Sequence, residues 1–383
     1  MPSLHDFVQK ANAGIAQDGQ GFAKFFEITV DRQEIVESSF IAIMKADQRY
    51  QYLPFRVQFE DEEGVDVGGL RREWISLIFP AISTPDYGLF QTGDSTNGYR
   101  VSIARVPLMN PAVLRYYRFI GLVLGKAVLE HLVVPIRFDR LILKTLLGLA
   151  PHISDLQMID PPLYQQLCSM EAADVSSWGL TFSIEEAGIG CTKTVELIEN
   201  GADLEVNNDN KSEYIQFCIT RRLLGGIQPQ LYALRDGFHT LIPQQLLHDF
   251  APEDLDLFLS GKETIDVDDW EKNTKLSGGL TKDSPVVRYF WEIVREMSPD
   301  MQKKLLNFCT GSPSVPALGF SQLLGTAAEK KSLFKLKMTK NSPDHLPIAH
   351  TCFNRLDLSP YISKAQFKEK LIMAMESENF ELG

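Results

Sequence analysis

The chain has few cysteines, and their spacing argues against two common uses of cysteine. Five cysteines occur among 383 residues, and no two of them form a CxxC pair. Zinc fingers and thioredoxin-like redox motifs are therefore not expected. The spacing also lacks a disulfide framework, which is typical of a protein in a reducing compartment. We expect the cytoplasm, with the nucleus as an alternative.

Other absences narrow the class further. The first residues lack the basic and apolar regions of a signal peptide. No basic tract occurs, and a net charge of −12 makes nucleic acid and anionic membranes poor partners. The longest apolar run, Pro111 to Leu132, contains charged residues and predicts a core helix instead of a membrane span. The glycine-bearing segment 63–70 lacks the GxxxxGK[ST] pattern of a phosphate-binding loop and predicts a turn before a helix.

Length and hydrophobic content indicate more than one hydrophobic core. The chain exceeds the usual size of a single domain, and 44% of its residues are hydrophobic. Apolar periodicity predicts helices in segments 4–13, 34–46, 70–79, 113–132, 214–238, 286–297, 300–308 and 364–377. Alternating or β-branched residues predict short strands at 56–59, 194–197, 333–338 and 351–353. The mixture predicts an α+β fold.

One cysteine lies among polar residues in a short segment near the C-terminus. Cys352 stands between Thr351 and the sequence Phe-Asn-Arg, two residues after His350. A reactive cysteine must be reachable and spend some time as thiolate, whereas a buried structural cysteine stays inert. Pro347 and Pro360 bracket the segment, which predicts a strand end or loop, where catalytic groups collect. Cys352 is therefore the candidate nucleophile. We interpret the other four cysteines as core residues or as unactivated thiols.

A series of short motifs extends from about Phe25 to Gly383. They are Phe59–Trp74 (FEDEEGVDVGGLRREW), Tyr87–Phe90, Tyr117–Gly121, Gly125–Ala127, Asn210–Tyr214, Gly237–Phe238, Phe290–Trp291, Phe308–Gly311, Val315–Pro316, Leu346–Pro347 and the segment around Cys352. In this order they resemble the catalytic domain of HECT-type E3 ubiquitin-protein ligases. Agreement of this extent is not a chance match.

The resemblance implies a thioester relay and its partners. In this family a charged E2 enzyme hands ubiquitin to a cysteine of the ligase, which hands it to a substrate lysine. By position, Cys352 is the acceptor cysteine. The partners are then an E2 ubiquitin-conjugating enzyme, ubiquitin and a protein substrate. Neither a cofactor nor a metal ion is expected.

Several neighbours of the cysteine are candidates for supporting roles. His350 and Thr351 can supply hydrogen bonds, and His350 can equally bind only backbone. Asp357 is a possible base for the acceptor lysine, although a role in a turn or hydrogen bond is the better reading. Arg355 reads as a structural or interlobe contact.

Two aromatic residues are candidates because of the family resemblance. Phe380 stands fourth from the C-terminus, where the family has a phenylalanine that helps to place the acceptor lysine or the donor lobe. An untethered terminal aromatic is the alternative. Tyr87 falls where some relatives bind a second, non-covalent ubiquitin, and packing within the large subdomain is the alternative.

The segment from Leu149 to Arg222 is where the family has its E2-binding subdomain. An apolar groove with a polar rim suits a reversible interface. The residues aligned with that groove are Leu163, Leu167, Trp178, Leu180 and Tyr214. Packing in the subdomain's own core competes with this interpretation for Leu167 and Leu180, and Trp178 is the expected anchor.

The expected organisation is bilobal. We predict an N-terminal helix and linker at 1–21, a large, mostly helical N-lobe at 22–272 with the E2-binding subdomain at about 149–222, a hinge at 273–281 and an α+β C-lobe at 282–383. The hinge assignment rests on Gly278 and Gly279, which interrupt the periodic pattern. A hinge matters because the cysteine must face the E2 first and the substrate afterwards.

Three functional readings remain open. The first is an active E3 ligase that carries ubiquitin as a thioester. The second is a catalytically inactive module of the same fold that binds ubiquitin or E2. The third, a cysteine hydrolase, needs a histidine held near Cys352 by an orienting residue. Substrate-recognition domains are expected outside this segment, in a longer protein.

Overall fold

The computed structural model describes residues 25–47, 51–62, 69–92, 98–102, 111–157, 159–187, 192–262, 264–317, 319–323 and 332–381. For Cys352 and residues 377–381 it describes the backbone only. The expected helix at 4–13 and the expected linker to residue 21 lie outside the described residues.

The N-terminal lobe, residues 25–262, is mostly helical. Its elements are β1 (Phe26–Val30), α1 (Ile35–Lys45), β2 (Phe55–Phe59), α2 (Gly69–Ile82), β3 (Phe90–Thr92), β4 (Tyr99–Val101), α3 (Pro111–Leu129), α4 (Arg140–Leu147), α5 (Pro161–Ala172), β5 (Ser183–Ala187), β6 (Thr192–Glu196), α6 (Lys211–Leu224), α7 (Gln228–Leu241) and α8 (Pro252–Ser260). Strand β1 pairs with β2 in parallel, whereas β3 with β4 and β5 with β6 form antiparallel pairs.

The C-terminal lobe, residues 264–381, packs helices against a small sheet. Its elements are α9 (Val267–Lys272), β7 (Lys275–Ser277), α10 (Pro285–Glu296), α11 (Pro299–Thr310), β8 (Lys335–Met338), β9 (Ile348–His350), β10 (Arg355–Leu358) and α12 (Lys364–Glu381). The strand order is β7-β8-β10-β9, and only the β9–β10 pair is antiparallel. Helices and short sheets together give the expected α+β fold.

The buried apolar side chains of the described residues form two separate clusters, and the boundary between the clusters lies before the expected hinge. The N-terminal cluster ends at Leu259, and the C-terminal cluster begins at Trp270. Trp270 stacks on Phe320 with ring centroids 4.9 Å apart. The segment 273–281 contains β7, whose backbone joins the sheet of the C-terminal lobe. The break between the clusters therefore falls before Trp270, and Gly278 and Gly279 form a turn within the C-terminal lobe.

Two of the expected elements also differ from the structure. The helix expected at 214–238 is two helices, α6 and α7, because Gly225 and Gly226 interrupt it. Gly226 has a φ of +89°, which favours glycine and ends a regular helix. The segment 351–353, expected as a strand, is a 3₁₀ turn between β9 and β10.

Helices α3 and α7 form the centre of the N-terminal lobe. Their backbones approach so closely that a Cβ atom on Gly121 would lie 2.0 Å from the carbonyl oxygen of Leu234. A Cβ atom on Gly237 would lie 2.0 Å from the carbonyl oxygen of Arg118. The contact therefore depends on glycine in both helices. Within the described residues, no helix is long and apolar enough to cross a membrane.

Asp139 caps α4 from a buried position, and this predicts a pH-dependent stability. Its carboxylate accepts the N–H of Ile142 at 3.0 Å and lies 3.8 Å from Arg100 Nε. Burial raises the pKa of Asp139 from 3.8 to about 6. The folded state therefore holds this proton more tightly than the unfolded state does. The stabilisation is complete below pH 3.8 and is lost as the pH rises through about 6.

Asp139→Asn is expected to be more stable than the wild type at pH 7.5, because the amide keeps a capping oxygen without burying a charge. The advantage should reach at most about 3 kcal/mol, from the rise of the pKa to about 6, and should shrink as the pH falls to 5. Denaturant midpoints of both proteins at pH 5, 6 and 7.5 measure it. A difference between the two proteins that does not change with pH would contradict the argument.

Candidate functional site

The predicted nucleophile lies on a tight turn at the edge of the C-terminal sheet. The 3₁₀ turn Thr351–Phe353, here called the cysteine turn, connects the antiparallel strands β9 and β10. Asn354 ends the turn with a φ of +47° and a ψ of 48°, a left-handed conformation that asparagine tolerates. The side chain of Cys352 lies outside the described part of the structure, so only its backbone is placed here.

A histidine and a carboxylate are paired next to the cysteine turn. His350, the last residue of β9, has Nε2 3.2 Å from Oδ2 of Asp357 on β10. Arg355 donates from Nη2 to the same oxygen at 3.3 Å, and its Nε lies 2.8 Å from Oδ1 in an ion pair without hydrogen-bond geometry. Asp357 is mostly buried and has a structural contact with each neighbour. Asp357 therefore orients the imidazole of His350. The sequence analysis did not predict this contact, because the two residues are separated along the chain.

The cysteine turn is joined to the N-terminal lobe through Arg72 on α2. Arg72 Nη1 donates to Asn354 Oδ1 at 2.9 Å and to the backbone oxygens of Thr310 and Thr351 at 3.0 and 3.4 Å. Thr351, a predicted support residue, thus contributes its carbonyl to this contact. Arg355, which the sequence marked as a structural or interlobe contact, binds Asp357 within its own lobe.

Phe380, the other predicted support residue, lies in the last turn of α12. Its side chain is outside the described part of the structure. The proposed role of this residue therefore stays a prediction.

The five residues predicted to bind E2 differ in exposure. Trp178 is 46% exposed, and Leu167 and Tyr214 are 2% and 7% exposed. Tyr214 packs edge-on against Phe182, and burial raises the pKa of its hydroxyl. Leu163 and Leu180 are partly buried against the N-terminal cluster. The structure favours core packing for Leu167 and Tyr214, and Trp178 is the most exposed of the five; that any of them contacts an E2 stays a prediction.

Exposed apolar residues that the sequence analysis did not single out lie near both predicted sites. Leu204 is 44% exposed, and its carbonyl accepts the N–H of Phe182, while Leu180 accepts from Val206. Leu204 therefore lies on the backbone segment beside Leu180. Leu180 itself is two residues after Trp178 in the sequence. Next to the cysteine turn, Ile348 and Phe353 are 49% and 48% exposed. A search for apolar residues flanked by polar ones would have found Leu204, which lies between Asp203 and Glu205, but not Ile348, which lies between Pro347 and Ala349.

Tyr87, the predicted contact for a second ubiquitin, is half-buried. Its ring lies 6.4 Å from that of Tyr116, which stacks on Phe40. Burial, followed by the charges of Glu37 and Glu34, raises the pKa of Tyr87. These contacts support the interpretation that Tyr87 packs within the large subdomain. A contact between Tyr87 and ubiquitin stays a prediction.

The remaining described cysteines lack the setting of a reactive thiol. Cys218 and Cys309 are buried, and burial raises the pKa of Cys218 to about 11. Cys168 is partly exposed on α5. Cys191 lies outside the described residues. In the part of the chain that the structure describes, no group of three or more His, Cys, Asp and Glu side chains could hold a metal ion.

Comparison with known proteins places the chain in a family. A family profile described as "HECT-domain (ubiquitin-transferase)" matches residues 76–383. The E3 ubiquitin-protein ligase Smurf1 of Drosophila melanogaster is 37% identical over 354 residues, which cover 91% of this chain and 33% of that protein. The E3 ubiquitin-protein ligase TOM1-like of Neurospora crassa is 33% identical over 354 residues, covering 91% of this chain and 8% of that protein.

The chain therefore belongs to the HECT-domain family, and the resemblance seen in the sequence is confirmed. It spans a third or less of the length of these two relatives. The activity, substrates and partners of the whole protein are therefore matters for proposal.

Proposed function

We propose that this domain is an E3 ubiquitin ligase that accepts ubiquitin from an E2 enzyme as a thioester on Cys352 and transfers it to a substrate lysine. The observation that carries the proposal is the family match, which extends across the cysteine turn to residue 383. The cysteine turn supports it, because the exposed Phe353 within the turn and the exposed Ile348 in β9 leave the backbone of Cys352 at an accessible edge of the sheet.

The chemistry suits a cysteine that needs little activation. A thiol with a pKa near 8.5 is already a few per cent thiolate at neutral pH. When it attacks the E2 thioester, one C–S bond forms as another breaks, and the E2 thiolate leaves. The acyl group stays activated for the amine that follows. A reducing compartment such as the cytoplasm would keep the acceptor thiol free.

The second step makes larger demands on the protein. A lysine with a pKa of about 10.4 must lose a proton before its amine can attack. We assign to Asp357 the role of holding the His350 imidazole beside the cysteine turn, on the strength of their 3.2 Å contact. The same contact supplies the orienting residue that a hydrolase would need, so hydrolysis of the thioester by water is a side reaction to be measured.

We propose that the E2 contacts the N-terminal lobe around Trp178 and Leu204. Both are large, apolar and more than 40% exposed, whereas Leu167 and Tyr214 are below 10%. Other residues of this segment, among them Leu167, Phe182 and Tyr214, pack into the N-terminal cluster and would hold this surface rigidly. Charging by each member of a panel of E2 enzymes measures the specificity for one E2 over another.

Trp178→Ala is expected to weaken the affinity for the cognate E2 by about 2 kcal/mol, or roughly 30-fold in Kd, because an exposed tryptophan is a typical interface anchor. Binding of the E2 to each protein can be measured by calorimetry. Leu257→Ala is a matched control, since Leu257 is 38% exposed on α8, outside the proposed surface. Equal affinities of both variants and the wild type would remove Trp178 from the interface.

The two lobes must move if the cysteine is to face both E2 and substrate, and we propose the crossing at Gly261 as the pivot. Gly261 has a φ of +71° and a ψ of −171°, a conformation that is open almost only to glycine. A Cβ atom there would lie 2.3 Å from the carbonyl oxygen of Val315. The adjacent Lys262 donates its N–H to that same carbonyl at 2.8 Å.

The proposal is tested by mixing E1, a panel of E2 enzymes, ATP, ubiquitin and this domain. A ubiquitin adduct on a non-reducing gel should form with the cognate E2, disappear with reductant and be absent in Cys352→Ala. An E2 that binds but never charges the domain would instead favour an inactive binding module of the same fold. Free ubiquitin released faster than lysine conjugates would favour a hydrolase.

A further inference from the structure

We propose that Arg72 is a positioning residue for the transfer of ubiquitin from Cys352 to lysine, because its guanidinium joins α2 of the N-terminal lobe to the cysteine turn. The inference rests on the proposed thioester role of Cys352. It adds a residue from the N-terminal lobe to the predicted catalytic and supporting residues, which all lie in the C-terminal lobe.

The contacts of Arg72 converge on one point of the C-terminal lobe. Its Nη1 donates to the side chain of Asn354 at 2.9 Å and to the backbone oxygen of Thr310 at 3.0 Å. Thr310 is the last residue of α11, and the backbone oxygen of Thr351, 3.4 Å away, belongs to the cysteine turn. Carbonyl groups at the end of a helix carry partial negative charge, so a cation binds well there.

Asn354 transmits this contact to the cysteine turn. It is fully buried and adopts a left-handed conformation two residues after Cys352. Its Nδ2 donates to the carbonyl of Ser332 at 2.7 Å, and its own carbonyl accepts the N–H of Lys335 at 2.8 Å. Because these hydrogen bonds fix Asn354 in place, the contact of Arg72 with its Oδ1 helps to set the position of the whole cysteine turn.

The other end of the contact is equally fixed. The neighbours of Arg72 on α2 bind within the N-terminal lobe. Arg71 pairs with the buried Glu130, Glu73 accepts from Arg32 at 2.7 Å, and Trp74 Nε1 donates to Ser39 at 2.8 Å. Arg72 therefore extends from a rigid helix, and its own side chain sets the distance between that helix and the cysteine turn.

The interface beside Arg72 is not closely packed. A cavity of about 90 Å³ lies there, lined by residues of both lobes that include Ser76 and Leu132 on one side and Ser312 and Pro316 on the other. Polar contacts next to a cavity suit an arrangement that must form and separate in each cycle. Tight apolar packing would favour permanent docking.

The transfer to lysine gains most from such a contact. The lysine ammonium first gives one proton to a base or to water, and the neutral amine attacks the thioester carbonyl. A C–N bond forms, the C–S bond breaks, and Cys352 leaves as thiolate. As the amide forms, the nitrogen gives its second proton to that thiolate or to water. Attack by a neutral amine depends on holding the carbonyl in one orientation. Thiol exchange with the E2 needs less help, because a thiolate is a strong nucleophile.

The test separates the two steps in single-turnover assays. The first measures ubiquitin transfer from a charged E2 to the domain, and the second measures discharge of the purified domain thioester onto free lysine after the E2 is removed. For Arg72→Ala we expect charging within about twofold of the wild type and discharge slowed by about 10- to 100-fold. Arg72→Lys should recover part of the discharge rate, because it keeps the charge but not the fork of donors.

Two further variants complete the experiment. Ser76→Ala is the matched control, since Ser76 lies one turn along α2, lines the same cavity and donates its hydroxyl to the backbone oxygen of Glu73 in its own helix. It should charge and discharge like the wild type. Asn354→Gly keeps a residue that tolerates positive φ and removes the acceptor for Arg72. Combined with Arg72→Ala, it should slow discharge no further than either change alone.

The outcomes are distinct. Discharge from Arg72→Ala at the wild-type rate would overturn the inference, and so would equal losses in both steps, which indicate a structural role alone. Additive losses in the double variant would show that Arg72 and Asn354 act independently and would overturn it as well. A wild-type domain that no E2 can charge would overturn the proposed function first, and the inference with it.

Discussion

Glu130→Ala is expected to lower the free energy of unfolding by about 3–5 kcal/mol, because it leaves two buried cations without their counter-ion. Glu130 Oε2 lies 2.7 Å from Arg71 Nη1, and Oε1 lies 3.4 Å from Lys126 Nζ. Oε1 also accepts the backbone N–H of Phe55 at 2.9 Å. One carboxylate therefore serves as counter-ion to two cations and accepts the first backbone N–H of β2.

Burial lowers the pKa of Lys126, and the charge of Glu130 opposes that effect. Without Glu130, we expect Lys126 to lose its proton more readily, which limits the cost of the mutation. The expected loss is therefore smaller at pH 9 than at pH 6. Chemical denaturation at both pH values measures it, with Glu73→Ala as a control, because Glu73 forms a partly exposed pair with Arg32. A loss below about 1 kcal/mol, typical of a surface pair, would contradict this account.

Gly237→Ala should be at least as damaging, because the added methyl group would meet backbone atoms that have no room to move. Its Cβ would lie 2.0 Å from the carbonyl oxygen of Arg118 and 3.0 Å from the backbone nitrogen of Leu122. Separating α3 from α7 is the only relief, and it would open the centre of the N-terminal cluster. Overpacking of a core typically costs about 1–3 kcal/mol, and a clash of backbone with backbone belongs at or above the upper end.

The thermal midpoint of Gly237→Ala should fall by several degrees or the protein should fail to fold. Asp236→Ala is the neighbouring control on α7, since Asp236 is exposed and its carboxylate makes a long, 3.5 Å contact with Arg235. A wild-type midpoint for Gly237→Ala would mean that the helices lie further apart than described.

The sequence predicted the elements whose pattern is local. The periodic apolar residues of α10 are an example: Val287, Phe290, Trp291 and Val294 lie on one face of the helix and are all buried in the C-terminal cluster. Proline and serine at its start also marked where it begins. Such helices follow from side-chain spacing alone.

The boundary between the lobes could not be obtained in the same way. Gly278 and Gly279 interrupt the pattern as strongly as a hinge would, yet β7 beside them pairs with β8, which lies far along the chain. Gly261 is a single glycine in the sequence, and its φ of +71° and ψ of −171° could not be predicted from composition. The pairing of β7 with a strand distant in sequence decides to which lobe these glycines belong. Local composition carries no information about that pairing.

The residues of the site also differ in whether the sequence could predict them. Cys352, His350 and Thr351 lie within a bounded polar segment and could be chosen from the sequence. Arg72 is about 280 residues from the cysteine turn and contacts it only because the lobes meet as they do. Leu167 and Trp178 were both apolar candidates for the E2 surface, and only their exposure separates them.

The most direct test of the central claim is the chemical nature of the bond in Cys352→Ser. If Cys352 is the acyl carrier, the serine hydroxyl should take ubiquitin from the charged E2 slowly as an oxyester, which survives reductant, is cleaved by hydroxide and maps to residue 352 by mass spectrometry. The wild-type adduct should be cleaved by reductant. A reductant-sensitive adduct that persists in Cys352→Ser, mapped to another residue such as Cys168, would contradict the account.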